Sequence, residues 1–256
     1  MTYRTVGVIG AGVIGGAISA YLSSLADIHL SFILVKAGFD VINVPLSMRR
    51  YITSDAVRAL ETSAELIIEA ANPGVLTELG PQILETSDLC AFSCTALADT
   101  ALEKQFHDIR LKSRRKLYIP HGAILALDGI LDGKDFLEEV AITTIKSGSS
   151  LGVAAESEGI IFDGSAREAC LRFPRNVNVH AAVALAGIGF DRTHSIIIAD
   201  PATKEMCHQI RVSGQGFNWN IEVNSRSLGG VSGSYTPKSA VGSIQRLLGV
   251  SAVSNC

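Results

Sequence analysis

The sequence predicts an α/β protein of two domains, and three observations carry that expectation. Near the amino terminus a glycine loop, Gly10-Ala-Gly12-Val-Ile-Gly15, lies between a short β-branched run and a helical apolar pattern. From there to about residue 120, extended and helical patterns alternate with short connections, the mark of a parallel sheet flanked by helices. Beyond about residue 125 strand-like runs follow one another more closely, as in an antiparallel or mixed sheet that carries one or two helices.

The first element is a strand over 5–9, followed by the glycine loop and a helix over 17–25. Each glycine has a physical task in a G-x-G-x-x-G turn. Gly10 permits the tight exit from the strand, Gly12 lets the backbone approach a pyrophosphate, and Gly15 lets the helix pack closely on the sheet. The N–H groups at the start of the helix then meet the phosphate oxygens. Gly10, Gly12, Val13, Ile14 and Gly15 are therefore expected to bind a dinucleotide, NAD or NADP. Residues 5–26 are uncharged and follow Arg4, so a signal peptide or membrane span competes with this interpretation. Five glycines within the run argue against both, and a soluble cytoplasmic protein is expected.

The second strand is expected over 29–35, and Lys36 then falls where the adenosine ribose of the cofactor would lie. An acid about 20 residues past the loop selects NAD through the ribose 2′-hydroxyl, whereas a cation tolerates a 2′-phosphate. Lys36 occupies that place with no acid until Asp40, which predicts NADP tolerance unless Lys36 merely begins a solvated loop. A third strand ends at Glu69, followed by Asn72-Pro73-Gly74 and a helix over 75–84. Strands over 89–93 and 116–120 follow, the latter ending at His121-Gly122, with a loop and helix from Cys94 between them. Ligands collect at the carboxyl ends of parallel strands, so 69–74, 93–99 and 120–124 should line one crevice. That placement adds Ala71, Asn72, Cys94, Thr95 and Ala96 to the cofactor-binding candidates.

The second domain is expected to hold strands over 140–145, 159–163, 194–199, 207–213 and 217–223, with helices over 165–172 and 179–187. A flexible loop, 229–234, precedes a final helix over 239–248, which should return to the first domain. The expected boundaries are 1–122 with 237–256 for the dinucleotide-binding domain, and 123–236 for a substrate and dimerisation domain. A chain of 256 residues with 47% hydrophobic content is large enough for both. A net charge of −3 gives no footprint for nucleic acid, and the basic run Arg110–Lys116 is expected to be a solvated helix end. Five cysteines without C-x-x-C spacing disfavour a disulfide framework and a structural zinc site; reduced thiols and no metal are expected.

Several segments together identify a family resemblance: Glu69-Ala-Ala-Asn-Pro73, Ser93-Cys-Thr-Ala-Leu-Ala-Asp99, Pro120-His-Gly-Ala-Ile124 with Leu127-Asp128, Phe173-Pro-Arg-Asn-Val-Asn-Val179, Ala199-Asp-Pro-Ala202, His208 and Pro237-Lys238. Through these the chain resembles L-aspartate dehydrogenases over nearly its full length. The resemblance implies a Rossmann domain joined to an open-faced α/β domain, a homodimer, and NAD(P)-linked oxidative deamination of aspartate through an imine. It also implies that His208 is the acid/base residue. The departures fall near the expected pocket. His121 stands where the family usually has Ser, Leu125-Ala126 replaces a glycine-containing pair, and Met206 replaces an Asn. Thr236-Pro-Lys-Ser-Ala240 replaces Asn-Pro-Lys-Thr-Ser.

Amine oxidation needs a group that moves protons near working pH, which suits histidine. His121 is a second candidate, for a substrate carboxylate or a proton, with plain packing as its alternative. A dicarboxylate wants at least two cationic partners, and Lys238 and Arg175 are the candidates. Asp200 either orients His208 or caps its own turn. Cys94 is expected to be a packed thiol, and His180 and His194 to be structural residues in apolar surroundings. Two other functions remain open: a dehydrogenase or imine reductase for a different small amino or keto acid, and a dinucleotide sensor without chemistry.

Overall fold

The computed structural model describes residues 3–42, 44–228 and 233–250. The chain runs β1 (Thr5–Ile9), α1 (Val13–Ser23), β2 (His29–Leu34), α2 (Leu46–Arg49), β3 (Ile52–Thr53), α3 (Ala56–Leu60), β4 (Leu66–Glu69), α4 (Pro73–Thr86) and β5 (Asp88–Ala91). A 3₁₀ turn, Cys94–Ala98, leads into α5 (Thr100–Ser113) and β6 (Leu117–Tyr118). Then follow α6 (Leu127–Asp132), β7 (Leu137–Lys146), α7 (Gly148–Leu151), β8 (Gly159–Ser165), α8 (Ala166–Arg172) and α9 (Asn178–Ala186). The order closes with β9 (His194–Ala199), β10 (Glu205–Gly214), β11 (Phe217–Arg226) and α10 (Thr236–Leu248).

The chain forms two compact units. The first comprises the described residues of Met1–Ser93, Lys104–Pro120 and Pro237–Cys256. Its sheet has the order β3-β2-β1-β4-β5-β6, with every pairing parallel. Strands buried on both faces need apolar residues at every position, which is why Val6 to Ile9 and Leu66 to Ile68 are nearly continuous Val/Ile/Leu runs. Ile18 and Leu22 of α1 pack on this sheet with Ala240, Ile244 and Leu248 of α10. The order in which β1 is flanked by β2 and β4 creates a switch point at the carboxyl end of β1, where the glycine loop lies.

The second unit comprises Cys94–Glu103 and His121–Thr236. Its five-stranded sheet has the order β11-β10-β7-β9-β8, mixed because β7 pairs parallel with β9 and antiparallel with β10. Period-two burial along β7 and β10 sends Val140, Ile142, Met206, Ile210 and Val212 into the core. The α/β class with a parallel first sheet and a mixed second sheet is as the sequence predicts.

Several expected boundaries shift. The final helix begins at Thr236 rather than 239, which places Lys238 in its first turn instead of the preceding loop. Pro237 suits that position because a helix start leaves its missing N–H without consequence. The strand expected over 116–120 is reduced to Leu117–Tyr118. Cys94–Glu103 belongs to the second unit, although the expected boundary put it with the first. The loop expected over 229–234 lies largely outside the described residues, as do 251–256.

Candidate active site

In the first unit, Gly10 adopts φ +98°, and a Cβ there would lie 2.6 Å from the Ala70 carbonyl oxygen. A Cβ on Gly15 would collide with the Gly10 carbonyl, so any larger residue would push α1 off the sheet. By contrast, nothing lies within 4 Å of the Cβ position at Gly12. Gly12 is also the residue that opens α1, and it caps the helix with no side-chain hydrogen bond. The loop is thus tight where the chain turns, open where a diphosphate would approach, and backed by uncapped N–H groups of an 11-residue helix beginning at Val13 and Ile14. These residues fit a dinucleotide. Lys36 is exposed just beyond β2, while the Asp40 carboxylate accepts from the Ile42 N–H at 2.8 Å within its own turn.

Glu69, at the carboxyl end of β4, is fully buried. It accepts from the Ala71 N–H at 2.8 Å, the Ser93 N–H at 3.0 Å and the Ser93 hydroxyl at 2.8 Å. Burial pushes its carboxyl above the ordinary range, against the pull of those donors. Asn72 caps α4 by accepting from the Val75 N–H at 3.2 Å, with Pro73 at the first helical position. Glu69 therefore ties the loops after β4 and β5 together. The glycine-loop neighbours Ala71 and Asn72 owe their positions to it.

In the second unit, the same period that buries Val140 and Ile142 carries Thr144 and Lys146 to the covered face of β7. Thr144 stands directly across from His208 on β10. Helix α9 brings His180 over the pair, and β9 contributes Ser195. All are buried, and they form a continuous chain. His208 Nδ1 lies 2.9 Å from Thr144 Oγ1, His180 Nε2 lies 2.6 Å from the same oxygen, and His180 Nδ1 lies 2.6 Å from Ser195 Oγ. Lys146, 2% exposed, donates to the Asn176 carbonyl at 3.3 Å.

Burial lowers the Lys146 pKa to about 8. Burial, then the Lys146 charge, lowers His180 to about 3. His208 is held well below its ordinary value by burial, by Lys146 and by His180. Both imidazoles are therefore neutral at physiological pH. With Nδ1 of His208 engaged by Thr144, Nε2 is the ring nitrogen left for another partner.

The remaining candidates are more dispersed. Cys94 Sγ donates to the Asn178 carbonyl at 3.3 Å, and the Thr95 N–H to Asn178 Oδ1 at 3.2 Å, so the 3₁₀ turn with Ala96 is tied to the start of α9. His121 Nε2 lies 3.3 Å from an Asp128 carboxylate oxygen, its side chain 17% exposed. Arg175 and Lys238 are exposed. Asp200 accepts from the Ala202 N–H at 2.8 Å, which is the turn-capping alternative; the partner of His208 is Thr144. His180 is not in apolar surroundings, since both nitrogens meet hydroxyls. His194 is half exposed and pairs with Asp163 at 2.6 Å. Among the described residues no cluster could hold a metal ion, and no helix is long and apolar enough to cross a membrane.

Sequence reasoning missed Lys146, Thr144, Asn178 and Glu69. One signal was present: a lysine in phase with Val140 and Ile142 on an alternating strand is a buried cation, and such groups concentrate at functional sites.

The family Aspartate dehydrogenase, C-terminal, matches residues 130–247. An L-aspartate dehydrogenase of Methanosarcina barkeri is 32% identical over 227 residues, covering 82% of this chain and 83% of that protein. One of Methanosarcina mazei is 33% identical over 226 residues, again covering 82% and 83%. The crystal structure of aspartate dehydrogenase from Thermotoga maritima superposes with a TM-score of 0.77 at 27% identity, covering 99% of this chain and 100% of that one. With about a third of its residues identical to the two Methanosarcina enzymes over 82% of its length, the chain belongs to the L-aspartate dehydrogenase family.

Proposed function

We propose that this chain is an NAD(P)-dependent L-aspartate dehydrogenase that oxidises the amino acid to an imine and releases ammonia, with His208 as its acid/base group. The observation that carries the proposal is His208 itself, buried, neutral, and fixed through Nδ1 by Thr144 on the sheet of the second unit. When bound, the nicotinamide supplies a hydride acceptor for the α-carbon of the substrate.

The work of the protein is with protons. An amino acid at neutral pH is an ammonium and must lose a proton before its nitrogen lone pair can form the C=N bond. Neutral His208 takes that proton at Nε2. Hydrolysis of the imine then requires a proton to be removed from water and one to be delivered to the departing nitrogen, which the same residue performs in turn. The low pKa keeps the imidazole neutral and its Nε2 lone pair available before substrate binds. After burial, the Lys146 ammonium contributes to that lowering. Lys238, Arg175 and His121 are the proposed partners for substrate carboxylates, and Gly10, Gly12, Val13, Ile14, Gly15, Ala71, Asn72, Cys94, Thr95 and Ala96 those for the cofactor.

The face of the second sheet opposite α8 and α9 carries Ile145, Ile196, Ile198 and Cys207, half-buried, with Ile160 63% exposed. A second copy of the chain on this apolar face is the proposed partner, giving a homodimer of a cytoplasmic enzyme. Its mass in solution, that of two chains, checks this.

A second substrate is favoured by one feature: His121, which stands where the resemblance has Ser, lies 3.3 Å from Asp128. A panel of amino acids with NAD and with NADP, followed by reduced-nicotinamide absorbance, tests both readings. Aspartate should give the highest kcat/KM; turnover confined to another amino acid would transfer the mechanism to that substrate, and no turnover with any would leave a dinucleotide sensor.

A further inference from the structure

We infer that His180, acting through Thr144, is a positioning residue that sets which ring nitrogen of His208 carries the hydrogen, and that the connected hydroxyl and imidazoles form a short proton relay. This rests on the proposed acid/base role of His208. Its support is the geometry: three successive contacts of 2.6, 2.6 and 2.9 Å from Ser195 through His180 and Thr144 to His208, all inside the second unit and shielded from water.

Proton counting restricts this chain to two arrangements. A neutral imidazole has one N–H and a hydroxyl has one hydrogen. In the first arrangement Ser195 donates to His180 Nδ1, His180 Nε2–H donates to Thr144, and Thr144 donates to His208 Nδ1. The hydrogen of His208 is then on Nε2, and the residue is a hydrogen-bond donor to whatever faces it. In the second, every donor reverses. His208 Nδ1–H donates to Thr144, Thr144 donates to His180 Nε2, and His180 Nδ1–H donates to Ser195. His208 Nε2 then carries a bare lone pair, and the residue is a base. Any other assignment opposes two lone pairs across a short contact or turns the Thr144 hydrogen away from both rings. Either fault leaves a buried polar group unsatisfied, which costs about 1–3 kcal/mol.

The same contacts move a proton. Starting from the basic arrangement, a proton leaves the substrate nitrogen and forms a new N–H at His208 Nε2. The Nδ1 proton can then pass to Thr144 Oγ1 as the Thr144 proton passes to His180 Nε2. One positive charge has entered, it is shared by two rings, and no carbon bond or electron count has changed. Reversal returns the proton to the departing nitrogen. A carboxylate in the place of Thr144 would hold His208 in a single tautomer and stabilise the cation. A hydroxyl backed by a second imidazole does neither, and the direction of the chain stays reversible.

The test uses the whole protein, with histidine labelled in ¹⁵N and the His208 signals assigned by their loss in His208→Gln. Thr144→Val cuts the relay with little change of volume, His180→Phe removes its far end, and Thr144→Ser restores the hydroxyl. The inference predicts that Thr144→Val and His180→Phe shift the His208 tautomer populations and lower kcat by about 10- to 100-fold with KM nearly unchanged. It also predicts that Thr144→Ser restores both. Unaltered His208 ¹⁵N shifts in Thr144→Val overturn it, as does unaltered kcat in a protein that His208→Gln inactivates. Should His180→Phe not fold, Thr144→Val decides alone. If His208→Gln stays active while Thr144→Val still shifts the tautomer, the acid/base reading fails and the hydrogen-bonded chain stands as structure only.

Discussion

Lys36 and Lys146 are both lysines at the carboxyl ends of strands, and their environments are opposite, one exposed and one buried. Lys36 is exposed beyond β2, and the next acid along the chain, Asp40, is engaged in its own turn. Substituting Lys36→Glu should therefore shift selectivity toward NAD by about tenfold or more, since a carboxylate accepts from the ribose hydroxyls and repels a 2′-phosphate. The ratio of kcat/KM for the two cofactors measures it; an unchanged ratio would reduce Lys36 to a solvated loop residue. Lys146 is buried, and its charge works at short range on His180 and His208. The proposal for Lys36 follows from spacing past a glycine loop, so it could be made from the sequence. That for Lys146 could not, because what makes Lys146 important is the partners that β10 and α9 bring to it.

At the scale of elements, the glycine loop and the start of α4 were legible because each is local: a strand, a turn residue and a cap within a few positions. The tie between the β4 and β5 loops is not local. It runs from Glu69 to Ser93 across two adjacent parallel strands, and nothing in either segment alone announces it. Replacing Glu69 with Ala leaves the Ala71 and Ser93 N–H groups and the Ser93 hydroxyl without their acceptor. The expected loss is on the order of 3 kcal/mol in thermal or urea unfolding, with weaker cofactor binding because the loop at Ala71 and Asn72 is released. A loss under about 0.5 kcal/mol, the range of an ordinary surface change, would contradict the clamp. The start of α10 shows the converse case. The signal, Thr236-Pro237, was in the sequence, but apolar periodicity begins only at Ala240 and drew the boundary too late.

For the whole molecule, burying neutral histidines makes stability depend on pH. Unfolded, each takes up a proton near pH 6.5; folded, His180 does so only near 3 and His208 well below its ordinary value. The unfolded state thus binds more protons, and stability falls as pH drops from 6.5 toward 3, by about 1.4 kcal/mol per pH unit for His180, with His208 acting in the same direction. Glu69, raised by burial, opposes this, since its contribution declines as pH rises above 4.5. The difference between the wild type and His180→Phe isolates the histidine effect. The wild type should lose more stability than the variant between pH 6.5 and 4.5, and parallel melting curves would contradict a neutral His180. The two-unit α/β architecture was legible throughout, because strand period and chain alternation are global patterns. The convergence on His208 was not: only its identity came with the family resemblance, while the hydroxyl and imidazole behind it depend on cross-strand register and on where α9 lies.

The most direct test compares wild type and His208→Ala in initial rates of reduced-nicotinamide formation from L-aspartate, together with NAD and NADP binding. The account predicts aspartate turnover by the wild type, a loss of about two to four orders of magnitude in kcat for the variant, and nearly equal cofactor affinity in both. Undiminished turnover in His208→Ala would contradict it.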